Sequence, residues 1–122
     1  MSRVELVKGT LDVMILKALT WGPKHGYAVT RWLTDASGGR LEILEGVLYP
    51  ALHRLEKRGL VTSTWGTSEN NRQARFYEIT PAGRRELADE TTSWEEYAAL
   101  LGRVLAAGPS IRAVDASVGG EA

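Results

Sequence analysis

Gly46, Tyr49, Pro50, His53, Arg54 and Lys57 recur at spacings of one, three or four residues. On a helix that spacing gathers them onto one side. A small residue, an aromatic hydroxyl, an imidazole and two cations on one side suit contacts to phosphates and base edges. A second polar group follows in Asn70, Asn71, Arg72 and Arg75. It forms a polar, cationic finger able to lie along a nucleic-acid backbone or enter a minor groove. Taken singly, the first group is an ordinary solvated helix face and the second plain turn chemistry. Their joint occurrence, in this order, points to double-stranded DNA as the partner.

Enzyme chemistry has little to work with. The absence of cysteine removes disulfides, thiolate metal sites and thiol nucleophiles. His25 and His53 lie in different helical segments with no acidic cluster beside them, so they read as capping or surface residues. Asp89-Glu90 and Glu95-Glu96 fit the solvated side of a long helix better than an acid–base pair, which needs an enclosing cleft. Nucleophile-elbow, phosphate-loop and dinucleotide fingerprints are missing. The expectation is a chain with no catalytic residues, no cofactor and no metal. A small hydrolase is the weakest reading.

The elements that must position these residues follow from hydrophobic periodicity. Thr10 has N-cap chemistry, and Leu11, Met14, Ile15, Ala18 and Leu19 repeat as one buried helical stripe. Trp21-Gly22-Pro23 stops that helix. A second helix is predicted from Lys24 to Ser37, with Tyr27, Ala28, Trp32 and Ala36 as its core side and Val29 and Leu33 adjoining. Gly38-Gly39 ends it. Arg40 to Glu45 reads as a short extended lead into a third helix over Gly46 to Arg58. That helix buries Leu48, Ala51, Leu52 and Leu55. Leu60 to Trp65 and Gln73 to Ile79 are strands, joined by a turn-rich tip into a hairpin. Thr80-Pro81 then opens a long helix to about Ala107, ended by Gly108-Pro109. Along it Leu87, Trp94 and Leu101 recur every seven residues, with Tyr97 and Val104 between them. This is a dimerisation seam. Trp32, Trp65 and Trp94 read as core or seam residues.

The predicted fold class is mainly α with a small β-hairpin (α+β), a winged helix-turn-helix followed by a dimerisation helix. The expected domains are 1–79 for DNA binding, 80–107 for dimerisation and 108–122 as a disordered tail. The 122 residues suit one small domain. Fifteen basic and fifteen acidic residues cancel, but residues 1–78 carry +3 and residues 79–122 carry −3. Charge alone therefore favours DNA little, and a winged helix that binds protein is the alternative. Salt separates the two, because cations bound to DNA release counterions and apolar burial does not. Leu11 to Trp21 is too short and too charged to span a membrane. Glu5 and Asp12 spoil a secretory signal, so a cytoplasmic protein is expected.

Several of these stretches resemble PadR-type transcriptional regulators. The residues are Lys8-Gly9-Thr10-Leu11-Asp12, His25-Gly26-Tyr27, Glu45 through Glu56, Gly59-Leu60-Val61, Arg75-Phe76-Tyr77 and Thr80-Pro81-Ala82-Gly83. The resemblance covers about residues 6–97. It implies a dimeric winged-helix repressor of the compact subgroup, paired through a single C-terminal helix and acting on a pseudo-palindromic operator. Many members are relieved by small, often aromatic molecules, for which Trp94 on the seam is the candidate platform. Val47 stands where the family usually has Ser or Thr, so a hydroxyl able to cap the helix or touch a phosphate is missing there.

Overall fold

The computed structural model describes residues 9–110. Helix α1 spans Thr10–Ala18 and runs into a single 3-10 turn, Leu19–Trp21. Strand β1 is Lys24–His25, helix α2 Gly26–Ala36 and helix α3 Glu45–Lys57. Strands β2 (Val61–Thr67) and β3 (Gln73–Ile79) precede helix α4, Pro81–Ala106. The fold class is the expected one, but the hairpin gains a third strand. All pairings are antiparallel in the order β1-β3-β2, with Lys24 opposite Tyr77 and Val61 opposite Ile79. Two compact units part between Glu90 and Thr91.

In the first unit, α1, α2, α3 and the base of the hairpin enclose one core. Ile15, Leu16, Leu19, Val29, Leu48, Leu52, Leu55 and Val61 are its largest fully buried side chains. Burying each is worth about 1.5–3 kcal/mol, which explains why these short helices hold their places. The stripe Leu48, Ala51, Leu52 and Leu55 is buried as its spacing requires, so the opposite side of α3 is left to solvent.

Four expectations are corrected. Thr10 is the first helical residue of α1, and Gly9, at φ 89°, takes the N-cap place without a side-chain cap. The second helix begins at Gly26, because Lys24 and His25 are drawn into extended pairing with β3. Its core side is Gly26, Val29 and Leu33, while Tyr27 and Ala36 are exposed and Trp32 is half-buried against the core. The aliphatic residues take the dry side, and Tyr27, with its polar tip, turns to water. Trp65 is 65% exposed and belongs to no core. The lead into α3 runs without regular structure to Leu44, which is extended, with Leu41 and Ile43 anchored in the core and Glu45 already helical. Of the expected disordered tail, Gly108, Pro109 and Ser110 have no regular structure, and the remainder lies outside the described residues.

The start of α4 is built as its residues require. The Thr80 hydroxyl accepts from the Gly83 amide at 3.0 Å and donates to the Gly59 carbonyl at 2.8 Å. Pro81 is the first helical residue, where a missing N–H costs nothing. Gly83 is buried against the Leu60 carbonyl oxygen and Ile79. Its lack of a side chain lets α4 meet the hairpin base.

Candidate nucleic-acid interface

Gly46, Tyr49, Pro50, His53, Arg54 and Lys57 are all exposed on α3, the side its buried stripe leaves free. Glu45 sits in the first turn, and Arg54 and Lys57 near the last, which suits the helix dipole. Pro50 lies inside the helix, between Tyr49 and the buried Ala51.

Tyr49 is placed by α2. Its ring lies over Gly26, where a Cβ would fall 2.7 Å from the Tyr49 Cζ. His25 caps the same helix, its Nδ1 accepting from the Ala28 amide at 3.2 Å. The His25 ring also meets Phe76 edge-on, with centroids 5.3 Å apart. His-Gly-Tyr at 25–27 therefore sets the cap, admits the Tyr49 ring and presents an exposed phenol. Gly26→Ala should leave stability nearly unchanged, because the Tyr49 ring can swing away. It should lower the preference for specific over random DNA by about three- to tenfold, since Tyr49 then leaves its place. Paired titrations with specific and random duplexes would measure the change.

The cations divide into paired and unpaired groups. Arg54 donates to the Asp12 carboxylate of α1 at 2.9 Å and remains about half exposed. Arg75 donates through Nε to the Ser63 hydroxyl at 2.9 Å, and that hydroxyl donates to Glu56 at 2.8 Å. The Arg75 guanidinium also lies 5.6 Å from the Trp65 ring centroid. Both arginines thus brace this surface: Arg54 joins α3 to α1, and Arg75 joins the wing to α3. Lys57 and Arg72 are exposed and have no ion-pair partner among the described residues.

At the wing tip, Ser68 and Arg72 close a tight loop. The Ser68 amide donates to the Arg72 carbonyl at 2.8 Å, and the Asn71 amide to the Ser68 carbonyl at 2.8 Å. Asn71 has φ 60°, a left-handed conformation that asparagine tolerates well. Asn70, Asn71 and Arg72 project into solvent. Between wing and helices runs an open concavity of about 680 Å³, bounded by Tyr27, Tyr49, Trp65, Arg72 and Arg75 with Tyr77 inside. Burial pushes the Tyr77 phenol above its ordinary pKa.

Sequence reasoning missed two contributors. Arg31 donates to the Tyr27 hydroxyl at 3.2 Å, and its guanidinium lies 5.7 Å from the Tyr27 ring centroid. Their spacing of four along α2 was a signal for this pair. Trp65 lies opposite Arg75 on neighbouring strands, where cross-strand pairs share a face.

The apolar seam is also partly revised. Leu87 packs half-buried against its own core. In the second unit Trp94 is half-buried and meets Tyr97 edge-to-face at 5.7 Å. Tyr97, Leu100, Leu101, Val104 and Leu105 are all exposed. Among the described residues no helix is long and apolar enough to cross a membrane, and no three acidic or histidine side chains gather as a metal site needs.

Comparison with known proteins finds relatives among transcriptional regulators. A family model described as the transcriptional regulator PadR-like family matches residues 15–89. A 37.1 kDa protein in transposon TN4556 of Streptomyces fradiae is 44% identical over 93 residues, covering 76% of this chain and 24% of that one. A transcriptional regulator of Mycobacterium tuberculosis is 41% identical over 68 residues, 55% of this chain and 63% of that one. A solved PadR family regulator from Eggerthella lenta superposes with a TM-score of 0.72 at 30% identity, covering 83% of this chain and 86% of that one. A regulator from Clostridium thermocellum gives a TM-score of 0.72 at 29% identity, covering 79% and 93%.

Proposed function

The chain belongs to the PadR-like family, whose members are DNA-binding transcriptional regulators and not enzymes, and on that premise we propose that it is a dimeric repressor. Helix α3 enters the major groove, with Tyr49, Pro50 and His53 toward base edges and Gly46 allowing close approach. Lys57 and Arg72 hold phosphates. Arg54 holds α3 against α1, Arg75 holds the wing against α3, and Asn71 turns the wing tip toward the backbone or minor groove. The observation that carries this reading is the exposed side of α3 standing beside the wing, with Lys57 and Arg72 unpaired among the described residues.

Dimerisation is supported by the exposed stripe of Tyr97, Leu101 and Val104, continued by Trp94, Leu100 and Leu105. An apolar strip of this size is costly to leave in water. Two-fold pairing sets the reading helices one DNA turn apart, about 34–36 Å, so the operator is a pseudo-palindrome. Repression follows by occlusion, since a bound dimer excludes other proteins from the DNA it covers. A small aromatic effector is supported by the Trp94–Tyr97 ring pair, which offers a stacking surface beside the stripe.

In vitro selection from random duplexes, followed by footprinting, tests the proposal. The expected result is a protected site with two inverted halves about 10–10.5 base pairs apart centre to centre. Recovery of no preferred sequence, or of a single unrepeated half, would count against it.

A further inference from the structure

Resting on the reading that α3 lies in the major groove, we propose that Val47 reads thymine through its 5-methyl group. The first turn of α3 is unusual for a surface that meets DNA. Leu44, the N-cap residue, is 67% exposed and makes no side-chain cap. Val47, in the same first turn, is 47% exposed. Neither contributes to the core cluster. Valine is also a poor choice for an exposed helical position on propensity alone, because β-branching costs rotamer freedom there.

A helix N-terminus ordinarily attracts phosphate through its free amides. Here the Val47 amide, one of those a helix start ordinarily leaves free, donates to the Leu44 carbonyl at 2.9 Å. The exposed residue between Leu44 and Gly46 is the acid Glu45, which repels phosphate. No cation or hydroxyl lies from 44 to 48. This turn is therefore shaped for base edges, not for the backbone. Gly46 beside it has nothing within 4 Å of where a Cβ would stand, so the backbone has room to come close.

In the major groove only thymine offers an apolar group among the four ordinary bases. Two valine methyls set against guanine, adenine or cytosine would cover donors and acceptors without pairing them, at a cost. Set against the thymine methyl, they bury apolar surface on both sides. Val47 thus selects by matching one methyl and by rejecting polar edges.

The test uses full-length protein and a duplex recovered by selection from a random library. Each thymine is replaced in turn by deoxyuridine, which removes the methyl and keeps the base pair. At one symmetric pair of positions the substitution should weaken wild-type binding roughly three- to tenfold. Val47→Ser should bind thymine and deoxyuridine duplexes alike, and Val47→Thr, keeping one methyl, should fall between. Both variants should keep the wild-type unfolding midpoint, because the position is half exposed. Tight, salt-dependent binding with no thymine–deoxyuridine difference anywhere overturns the inference and leaves the DNA-binding reading standing. So does a difference that persists unchanged in Val47→Ser. Failure to recover any preferred duplex removes the premise and overturns both.

Discussion

Replacing Leu101 and Val104 together by glutamate is expected to give a monomer and to lower operator affinity at least a hundredfold. Both residues are exposed in the chain, at 42% and 62%, so the fold has no need of them. Across a two-fold seam, however, they would bring four carboxylates into an apolar contact, and burying such charges unpaired is strongly unfavourable. The loss on DNA follows from linkage of the two half-sites. Once one half of a dimer is bound, the second binds as an intramolecular event, which is worth roughly 10²–10⁴ in overall affinity. Sedimentation velocity at micromolar concentration should show the change in mass, and circular dichroism should show the helices retained. A double variant that remains dimeric would remove this stripe as the interface.

The second large effect is on stability. Gly83→Ala should destabilise the protein by about 2 kcal/mol or more, although alanine is the better helix former by about 1 kcal/mol. The added methyl would meet the Leu60 carbonyl oxygen and lie 2.7 Å from the Ile79 Cγ1. Backbone cannot swing aside as the end of a side chain can. Relief requires α4 to shift, which strains the Thr80 cap joining it to Gly59. Against a typical total of 5–15 kcal/mol this is a large share, and should lower the midpoint by roughly 10 °C. Gly102→Ala in the same helix is the control. Nothing lies within 4 Å of its missing Cβ, so it should gain up to about 1 kcal/mol. Urea titrations of both variants would decide the point, and equal signs would refute the steric account.

Much of this architecture was legible because local periodicity carries it. The stripe at 48, 51, 52 and 55 assigned α3 its buried side, and so also its exposed one. Thr80-Pro81 marked the start of α4 through capping chemistry that depends only on neighbours. What was hidden depends on partners distant in the chain. Lys24 and His25 are a strand only because β3, some fifty residues later, pairs with them. Arg54 looked like a free cation until Asp12, 42 residues away, was placed beside it. Arg75 likewise has its role set by Ser63 and Glu56. Leu87 fits a heptad with Trp94 and Leu101, yet the first unit's core takes it first. Period alone cannot say which of two surfaces claims a residue.

Binding of DNA by α3 and the wing is tested most directly by salt. Affinity for the selected duplex, followed by fluorescence anisotropy over a range of salt, should fall steeply in the wild type. Lys57→Ala and Arg72→Ala should each flatten the log–log slope by about 2 per dimer, at roughly 0.9 for every phosphate no longer neutralised. A wild-type affinity indifferent to salt, or variants with the wild-type slope, would contradict the account.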